Sequence, residues 1–307
     1  MQIKFPRNLF ISSNYIRFIT TLILVVIFQI GLCSLWAGEK IESALSLSEA
    51  LKLALEFNSQ RHADGNFLPP GDVVFLVKKY YYQIQTQIEQ LETSEEVRDH
   101  FQKAVDKSEK IFEEEEGGVS QSDITKLKLG LSNTLNDIIG LTYSVQIARL
   151  HLEELIGKEI RPDGDIIKTD IEPLPFTYIN FEVYLKSKNL SLSSRKEERN
   201  GIIDSSKTFA TGSLQLGAED RLMLHKNFIT AKEANAKVIL GKKNRKITRA
   251  LLIAEVANYD FGIGDSQDLF EALIVYTRVL IGYLDSVYTL NVAVAKLEKL
   301  TDAIYKK

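Results

Sequence analysis

Four carboxylates stand at two corners of this sequence: Asp123, Asp265, Asp268 and Glu271. They follow glycines, in Gly117-Gly118-Val119-Ser120-Gln121-Ser122-Asp123 and in Gly262-Ile263-Gly264-Asp265-Ser266-Gln267-Asp268. Ser120 with Asp123, and Asp265 with Asp268, have the spacing of a helix cap and put acid in the positive first turn. Asp268 and Glu271 are three apart and share one helix face. From spacing alone, Asp268 completes a cap and Glu271 is solvated. Other chemistry is hard to find. His62, His100, His151 and His225 are scattered without metal-ligand spacing. No nucleophile has a neighbouring base, and no glycine-rich phosphate loop joins a strand to a helix. The chain reads as a protein without a catalytic site, and no cofactor or metal is expected. A net charge of -3 and the lack of an aromatic-and-basic pattern give no argument for nucleic acid.

The two corners are copies. A shift of 145 residues lays Gly117 on Gly262 and Asp123 on Asp268, and the same ungapped register pairs Leu135 with Leu280, Tyr143 with Tyr288, Ala148 with Ala293, Leu152 with Leu297, Glu153 with Glu298 and Leu155 with Leu300. Eight identities in the 39 positions 117–155, all in one register, indicate a duplicated helical hairpin whose tips are these corners.

The elements that carry the tips are legible in where proline is missing. The six prolines lie at 6, 69, 70, 162, 173 and 175, so 71–161 and 176–307 permit uninterrupted helices. Apolar residues recur at Val77, Tyr81, Ile84, Ile88, Leu91, Phe101, Val105, Ser108 and Phe112 on the way up. They continue at Ile124, Leu127, Leu131, Leu135, Ile138, Leu141, Val145, Ala148, Leu152 and Leu155 on the way down. The second copy gives Leu269, Leu273, Tyr276, Leu280, Tyr283, Val287, Leu290, Val294 and Leu297. Steps of three and four keep one seam facing a partner helix, as in a coiled coil. Val77–Glu116 predicts a rod of about 60 Å, and the second ascending helix is expected over roughly Glu219–Phe261. Gly117 and Gly262 are expected to adopt the left-handed conformation that stops the ascending helices. Leu45–Asn58 predicts a short first helix with a serine cap. The connector 158–180, with Pro162, Gly164, Pro173 and Pro175, has room for one short strand at Asp165–Ile171; 187–219, rich in Ser, Lys and Thr, is expected to be the least structured part of the mature chain. The expected organisation is 1–37 signal peptide, 41–157 first hairpin repeat, 158–180 connector and 181–303 second hairpin repeat.

Lys4, Arg7 and Arg17 precede an apolar run from Phe18 to Leu35, with a small residue at Ala37. This fits a secretory signal cleaved near Ala37. The run also approaches the roughly 20 residues of an uncleaved anchor. Cys33 is the only cysteine, but Leu32 stands where a lipid-modification site wants Gly or Ala. Cleavage after Ala37 leaves a mature chain with no disulfide. Export from the cytoplasm follows on either reading.

At these residues the chain resembles the TolC family of outer-membrane efflux and secretion channels. The first helix is similar to the family's opening, with Asn58-Ser59 in place of Asn-Pro. The tips resemble its aromatic, two residues, Gly, five residues, Asp pattern. That pattern is complete in Tyr259, Gly262 and Asp268, while Glu114 replaces the aromatic before Gly117 and Asp123. Leu152-Glu153-Glu154-Leu155-Ile156-Gly157 is similar to the family's helix close. The likeness implies an all-α fold of duplicated long coiled-coil hairpins forming a periplasmic tunnel in a homotrimer. It implies a passive component of a tripartite efflux or type I secretion system, exported and either outer-membrane-associated or periplasmic. An adaptor protein of an inner-membrane pump or exporter would meet the tips at Gly117, Val119, Ser120, Gly262, Gly264 and Asp265. Asp123, Asp268 and Glu271 would form an acidic tunnel mouth.

One departure stands out. Two strand hairpins per chain build the family's β-barrel, and each needs at least about 20 residues plus a turn. Only 14 residues separate Asn58 from Val73, and the 30 between Asn189 and Asp220 alternate only at Ser213-Leu214-Gln215-Leu216. Little or no barrel is expected. Either the protein is a barrel-less periplasmic scaffold, or another subunit completes the membrane crossing. An adaptor-type bridging protein is a further alternative, against which the missing β-rich, lipoyl-like regions count. Glu113–Glu116 reads as a solvated tip or a docking patch for a basic partner. Lys242-Lys243-Asn244-Arg245-Lys246 with Arg249 reads as an exposed polar face, and Tyr80-Tyr81-Tyr82 as helix packing or an interfacial belt.

Overall fold

A computed structural model describes residues 44–61, 67–114, 118–160, 170–192 and 214–305. The signal segment 1–37 with Cys33, His62, Gly117, and Pro162 and Gly164 of the connector lie outside the described residues. The element order is α1 (Leu47–Gln60), α2 (Pro70–Glu113), α3 (Gln121–Ile156), α4 (Phe181–Ser187), β1 (Leu190–Leu192), β2 (Leu214–Leu216), α5 (Ala218–Asp260) and α6 (Ser266–Tyr305). Among the described residues the architecture is all-α apart from that strand pair.

Local chemistry sets the helix ends. Ser46 caps α1 by accepting the Glu49 N–H at 3.2 Å. Pro70 opens α2 at the position where a missing N–H costs nothing. Gly157, at φ 69°, closes α3 and donates to the Glu153 carbonyl at 2.8 Å. The expected rod Val77–Glu116 is corrected at both ends. It starts seven residues earlier, at Pro70, because the Pro69-Pro70 pair is a start signal, and it stops at Glu113, with Glu114 in a turn. The short helix α4 was not foreseen. It is capped by Asn180, whose Oδ1 accepts the Val183 N–H at 2.9 Å. Of the strand expected over Asp165–Ile171, only Asp170 and Ile171 are described, and they are irregular.

The four long helices lie side by side in an open row. α3 packs on α2, α2 on α6, and α6 on α5, while α3 and α5 share no packed interface. α1 lies across α2 and α3. With α2 on one side and α5 on the other, α6 is the most apolar long helix, and by length and composition alone it would be long enough to cross a membrane. Its Leu273, Leu284, Val287, Leu290 and Leu297 are almost wholly buried between its neighbours. The core has two parts. A larger one gathers α1, the connector, α4 and the adjoining ends of the rods. A smaller one near the tips holds Val97, Phe101, Val105, Leu127, Leu252, Tyr259, Leu269 and Tyr276.

Most of the expected seam is buried, including Val77, Tyr81, Ile84, Phe101, Val105, Ile124, Leu127, Val145, Ala148 and Leu152. Phe112 and Leu135 are not, at 46% and 42% exposure. Leu135 lies to one side of the face that α3 packs on α2, and Phe112 lies in the last turn of α2, at the tip. Tyr81 and Tyr82 are core residues, and Tyr80 stacks on His151 of α3 with ring centroids 4.7 Å apart. The triplet is helix packing.

Residues 170–180 run as a strap across three rods. The Ile171 N–H donates to Glu89 of α2. Asn291 of α6 accepts the Leu174 N–H at 2.8 Å and donates to the Glu172 carbonyl at 2.9 Å. From α5, Lys232 donates to the Ile179 carbonyl and Asn235 to that of Phe176. Beside the strap, Phe176, Tyr178, Phe181, Tyr184 and Phe228 form an aromatic nest, with ring centroids 5.2 to 6.3 Å apart.

Candidate functional site: the hairpin tips

The second tip is fully described. α5 ends at Asp260. Phe261 N–H donates to the Ala257 carbonyl and Gly262 N–H to that of Tyr259, at 3.0 and 3.1 Å. Gly262 sits at φ 74°, the left-handed conformation expected of it. The Ile263 and Gly264 N–H groups both donate to the Asn258 carbonyl at 3.0 Å. Gly264 is required for a different reason: a Cβ there would stand 2.8 Å from that of Asn258 and 3.1 Å from its carbonyl carbon. Asp265 precedes α6 and accepts the Asp268 N–H on its side chain at 2.8 Å, as the spacing predicted.

The first tip repeats this plan with other residues. Gly118 is at φ 86°, and Gly117 lies outside the described residues. Ser120 caps α3 in a reciprocal box. Its Oγ accepts the Asp123 N–H at 3.2 Å, and Asp123 Oδ2 accepts the Ser120 N–H at 3.1 Å and the Ser120 hydroxyl at 2.5 Å. Those hydrogen bonds from Ser120, with Lys126 nearby, lower the Asp123 carboxyl below the usual range.

The carboxylates of the second tip behave oppositely. Asp268 is raised, first by the charge of Asp265, with burial, Glu255 and Glu271 adding to it. Glu271 accepts from Gln267 of its own helix at 3.2 Å. Both acids are exposed, one turn apart on α6. Beside them Phe261 and Ile263 are 81% and 79% exposed. The second tip is therefore an apolar pair within an acidic surround. Among the described residues no group of three or more His, Cys, Asp or Glu is arranged to hold a metal ion.

What fixes this tip in place was not legible in the sequence. Tyr259, read as the aromatic of a pattern, is buried against α2. Its hydroxyl lies 2.7 Å from Ser108 Oγ and donates to the Ala104 carbonyl at 3.1 Å. Lys107 Nζ sits 4.8 Å from the centre of the Tyr259 ring and donates to the carbonyls of Tyr259 and Asp260 at 2.6 and 3.1 Å. Nearly three turns below, Arg249 pairs with Glu96 of α2. It also donates to Tyr276 of α6 at 3.0 Å, and the Tyr276 hydroxyl donates to Glu96 Oε2 at 3.0 Å. The basic run thus divides. Lys242, Lys243 and Lys246 are exposed, as expected, but Arg245 lies over the Tyr283 ring at 4.6 Å and Arg249 joins three helices. A groove of about 410 Å³ lies beside this network, lined by Glu96, His100, Leu252, Val256 and Phe261 among others. Burial lowers the His100 pKa there.

No protein-family model matches this sequence, and no curated protein matches it. Solved structures do. The chain is similar to CusC, a protein that forms a transmembrane channel, with 14% identity and a TM-score of 0.51 over 83% of this chain and 72% of that one. It is similar to the outer-membrane channel OprN, at 11% identity and a TM-score of 0.52 over 83% and 70%. It is also similar to the Campylobacter jejuni outer-membrane channel CmeC, at 10% identity and a TM-score of 0.51. That likeness covers 83% of this chain but 65% of CmeC, a little under two thirds of its length. Through its row of long helical hairpins, this chain has the fold of the TolC-family outer-membrane channels.

Proposed function

We propose that the chain is a TolC-like component of a tripartite efflux or type I secretion system. It would assemble as a homotrimer into a passive periplasmic tunnel, with energy supplied by an inner-membrane pump or exporter. The observation that carries this reading is the state of the two outer rods. On α3, Leu129, Leu135, Ile139, Tyr143, Ile147 and Leu150 are 42–63% exposed. At 100° per residue they fall within an arc of about 120°, roughly opposite the face that packs on α2. On α5, Leu222, Ile229, Leu240, Ile247 and Leu251 are 41–70% exposed and fall within about 40°, while Met223, Ile239 and Ile253 are exposed outside that arc. Two long apolar stripes stand at opposite edges of one row, so a stripe of one protomer can be covered by the opposite stripe of the next. They suit a head-to-tail ring in which α3 of one protomer meets α5 of the next. Each side chain so covered contributes on the order of 1–2 kcal/mol.

In that ring the tips gather at one end. Asp123, Asp268 and Glu271 would form the acidic mouth, favouring cations. Gly117, Val119, Ser120, Gly262, Gly264 and Asp265, with the exposed Phe261 and Ile263, would meet the adaptor. A second reading, a barrel-less scaffold that binds partners without conducting, is favoured by the sealed loop described below. On either reading no catalytic role is assigned, and the protein works in the cell envelope, at the outer membrane or in the periplasm.

Cross-linking and light scattering test the ring. A trimer is expected for the full chain, and Tyr143→Asp with Leu240→Asp should reduce it to monomers that keep their helix content. A wild-type protein that is monomeric at every accessible concentration would sink the proposal.

A further inference from the structure

The α1–α2 joint is sealed at its base. Asn58 donates from Nδ2 to the Leu68 carbonyl at 2.9 Å and accepts the Leu68 N–H on Oδ1 at 3.1 Å, pinning a backbone ten positions further on. A chain that leaves and returns within ten residues travels roughly five each way, at most about 17 Å. A barrel strand that crosses an outer membrane uses roughly 9–11 residues. This joint therefore contributes no crossing strand.

The other candidate joint lies between α4 and α5. Its strands β1 and β2 pair in parallel, with Leu190 opposite Leu214 and Leu192 opposite Leu216. The arms of a hairpin run antiparallel, so β1 and β2 are not the base of one. The stretch between them, 193–213, has room for about ten residues each way before any turn is counted, so one strand hairpin is its upper limit. Three protomers with two strands each would supply six, and the smallest outer-membrane barrels have about eight. An unclosed set of strands leaves backbone groups unpaired in lipid, each at several kcal/mol.

We infer that the α1–α2 and α4–α5 joints together supply too few strands to close a barrel, so that the helical tube built by residues 44–305 stops at the membrane surface and passage through the bilayer requires barrel strands from outside those residues, supplied by a second, barrel-forming protein. The strand count rests on the trimeric ring proposed above, whereas the sealed α1–α2 joint does not.

The test uses the full chain, purified in detergent and reconstituted into phosphatidylethanolamine–phosphatidylglycerol vesicles and planar bilayers. Single-channel current and infrared strand content are read on the same preparation, with cross-linking to count subunits. Neither signal responds to an N-terminal helical anchor. A trimer with no stepwise conductance and no gain of strand signal on meeting lipid supports the inference. Discrete conductance steps, or a strand signal that appears with lipid, overturn it. A monomer silent in both assays overturns the ring while supporting the conclusion about the sealed joint. Asn58→Ala, which unpins Leu68, should stay equally silent; currents gained by that variant would show that the joint can supply strands, against the inference.

Discussion

The hydroxyl groups of Ser108 on α2 and Tyr259 on α5 lie 2.7 Å apart, both buried, at 0% and 5% exposure. They tie the end of the second ascending rod to the first hairpin, although 151 residues separate them in sequence. Tyr259→Phe should cost about 1–3 kcal/mol, because Ser108 and the Ala104 carbonyl both lose a partner in a dry site. Ser108→Ala should cost less, since the Tyr259 hydroxyl keeps Ala104. Urea midpoints of the two single variants and the double variant check this. The pair should be non-additive by at least about 0.5 kcal/mol, and full additivity would dismiss the bond.

The capping box at the first tip predicts a pH response. Asp123 has a lowered pKa, so its contribution is fully present above its unfolded value of about 3.9 and fades as pH falls through the lower folded one. Ser120→Ala should weaken the first turn of α3 by about 0.5–2 kcal/mol. Hydrogen exchange of the Asp123 and Ile124 amides reads this directly. They should exchange faster in the variant at neutral pH, and the gap between variant and wild type should narrow in strong acid, leaving the part due to the Asp123 N–H bond to Ser120 Oγ.

Asp268 predicts the opposite sign. Its pKa is raised by Asp265, with Glu255 and Glu271 adding to it, so the tip gains stability as pH falls through the folded value and loses it as pH rises. Asp268→Asn should leave stability at neutral pH unchanged or slightly higher, with the difference shrinking in added salt. Because Asn can still serve the cap beside Asp265, a large loss would mean that the carboxylate makes a contact not seen here. If a conducting complex can be assembled, the same change with Glu271→Gln should lower its cation preference.

Glu89 anchors the strap to the first hairpin, and its carboxyl is pushed up to about 7, chiefly by burial and further by Asp170 and Glu92, against Arg245 and the Ile171 N–H. A raised carboxyl holds its proton more tightly in the folded state. Stability should therefore fall as pH rises from about 4.3, the unfolded value, through 7. Glu89→Gln keeps an acceptor for Ile171 and should flatten that slope. Thermal midpoints from pH 5 to 8 compare the two, and parallel profiles would refute the assignment.

The two glycines of the second tip should respond differently to substitution. Gly262→Asn keeps access to the left-handed region and should cost little, whereas Gly262→Val should cost roughly 1–2 kcal/mol. Gly264→Ala must push aside Asn258, backbone included, and should loosen the whole turn. Faster hydrogen exchange from Asn258 to Asp268 would register it.

Local rules made much of the fold legible. The proline-free blocks, the apolar steps of three and four, the Ser120–Asp123 box and the turn at Gly262 all depend on residues within one helical turn of each other. That is why rods and tips were found to within a few residues. The start at Pro70 was missed only because the seam, rather than the Pro69-Pro70 signal, was followed. Helix α4 was missed because its seven residues make only about two turns, too few for a helical period to show.

The sequence by itself thus determined the long helices, their duplicated caps and the left-handed stop at Gly262, since each follows from the backbone's own geometry and its nearest neighbours. Tertiary structure alone decided which rods are adjacent, and with that the roles of Tyr259, Arg249, Asn58 and Glu89. Each of these works through a partner on another element, from 10 residues away for Asn58 and Leu68 to 155 for Tyr259 and Ala104. No spacing rule reaches across such a gap. It also decided that Leu135 faces outward while Leu127 is buried, because a periodic stripe states that a face is apolar but not whether a neighbour covers it.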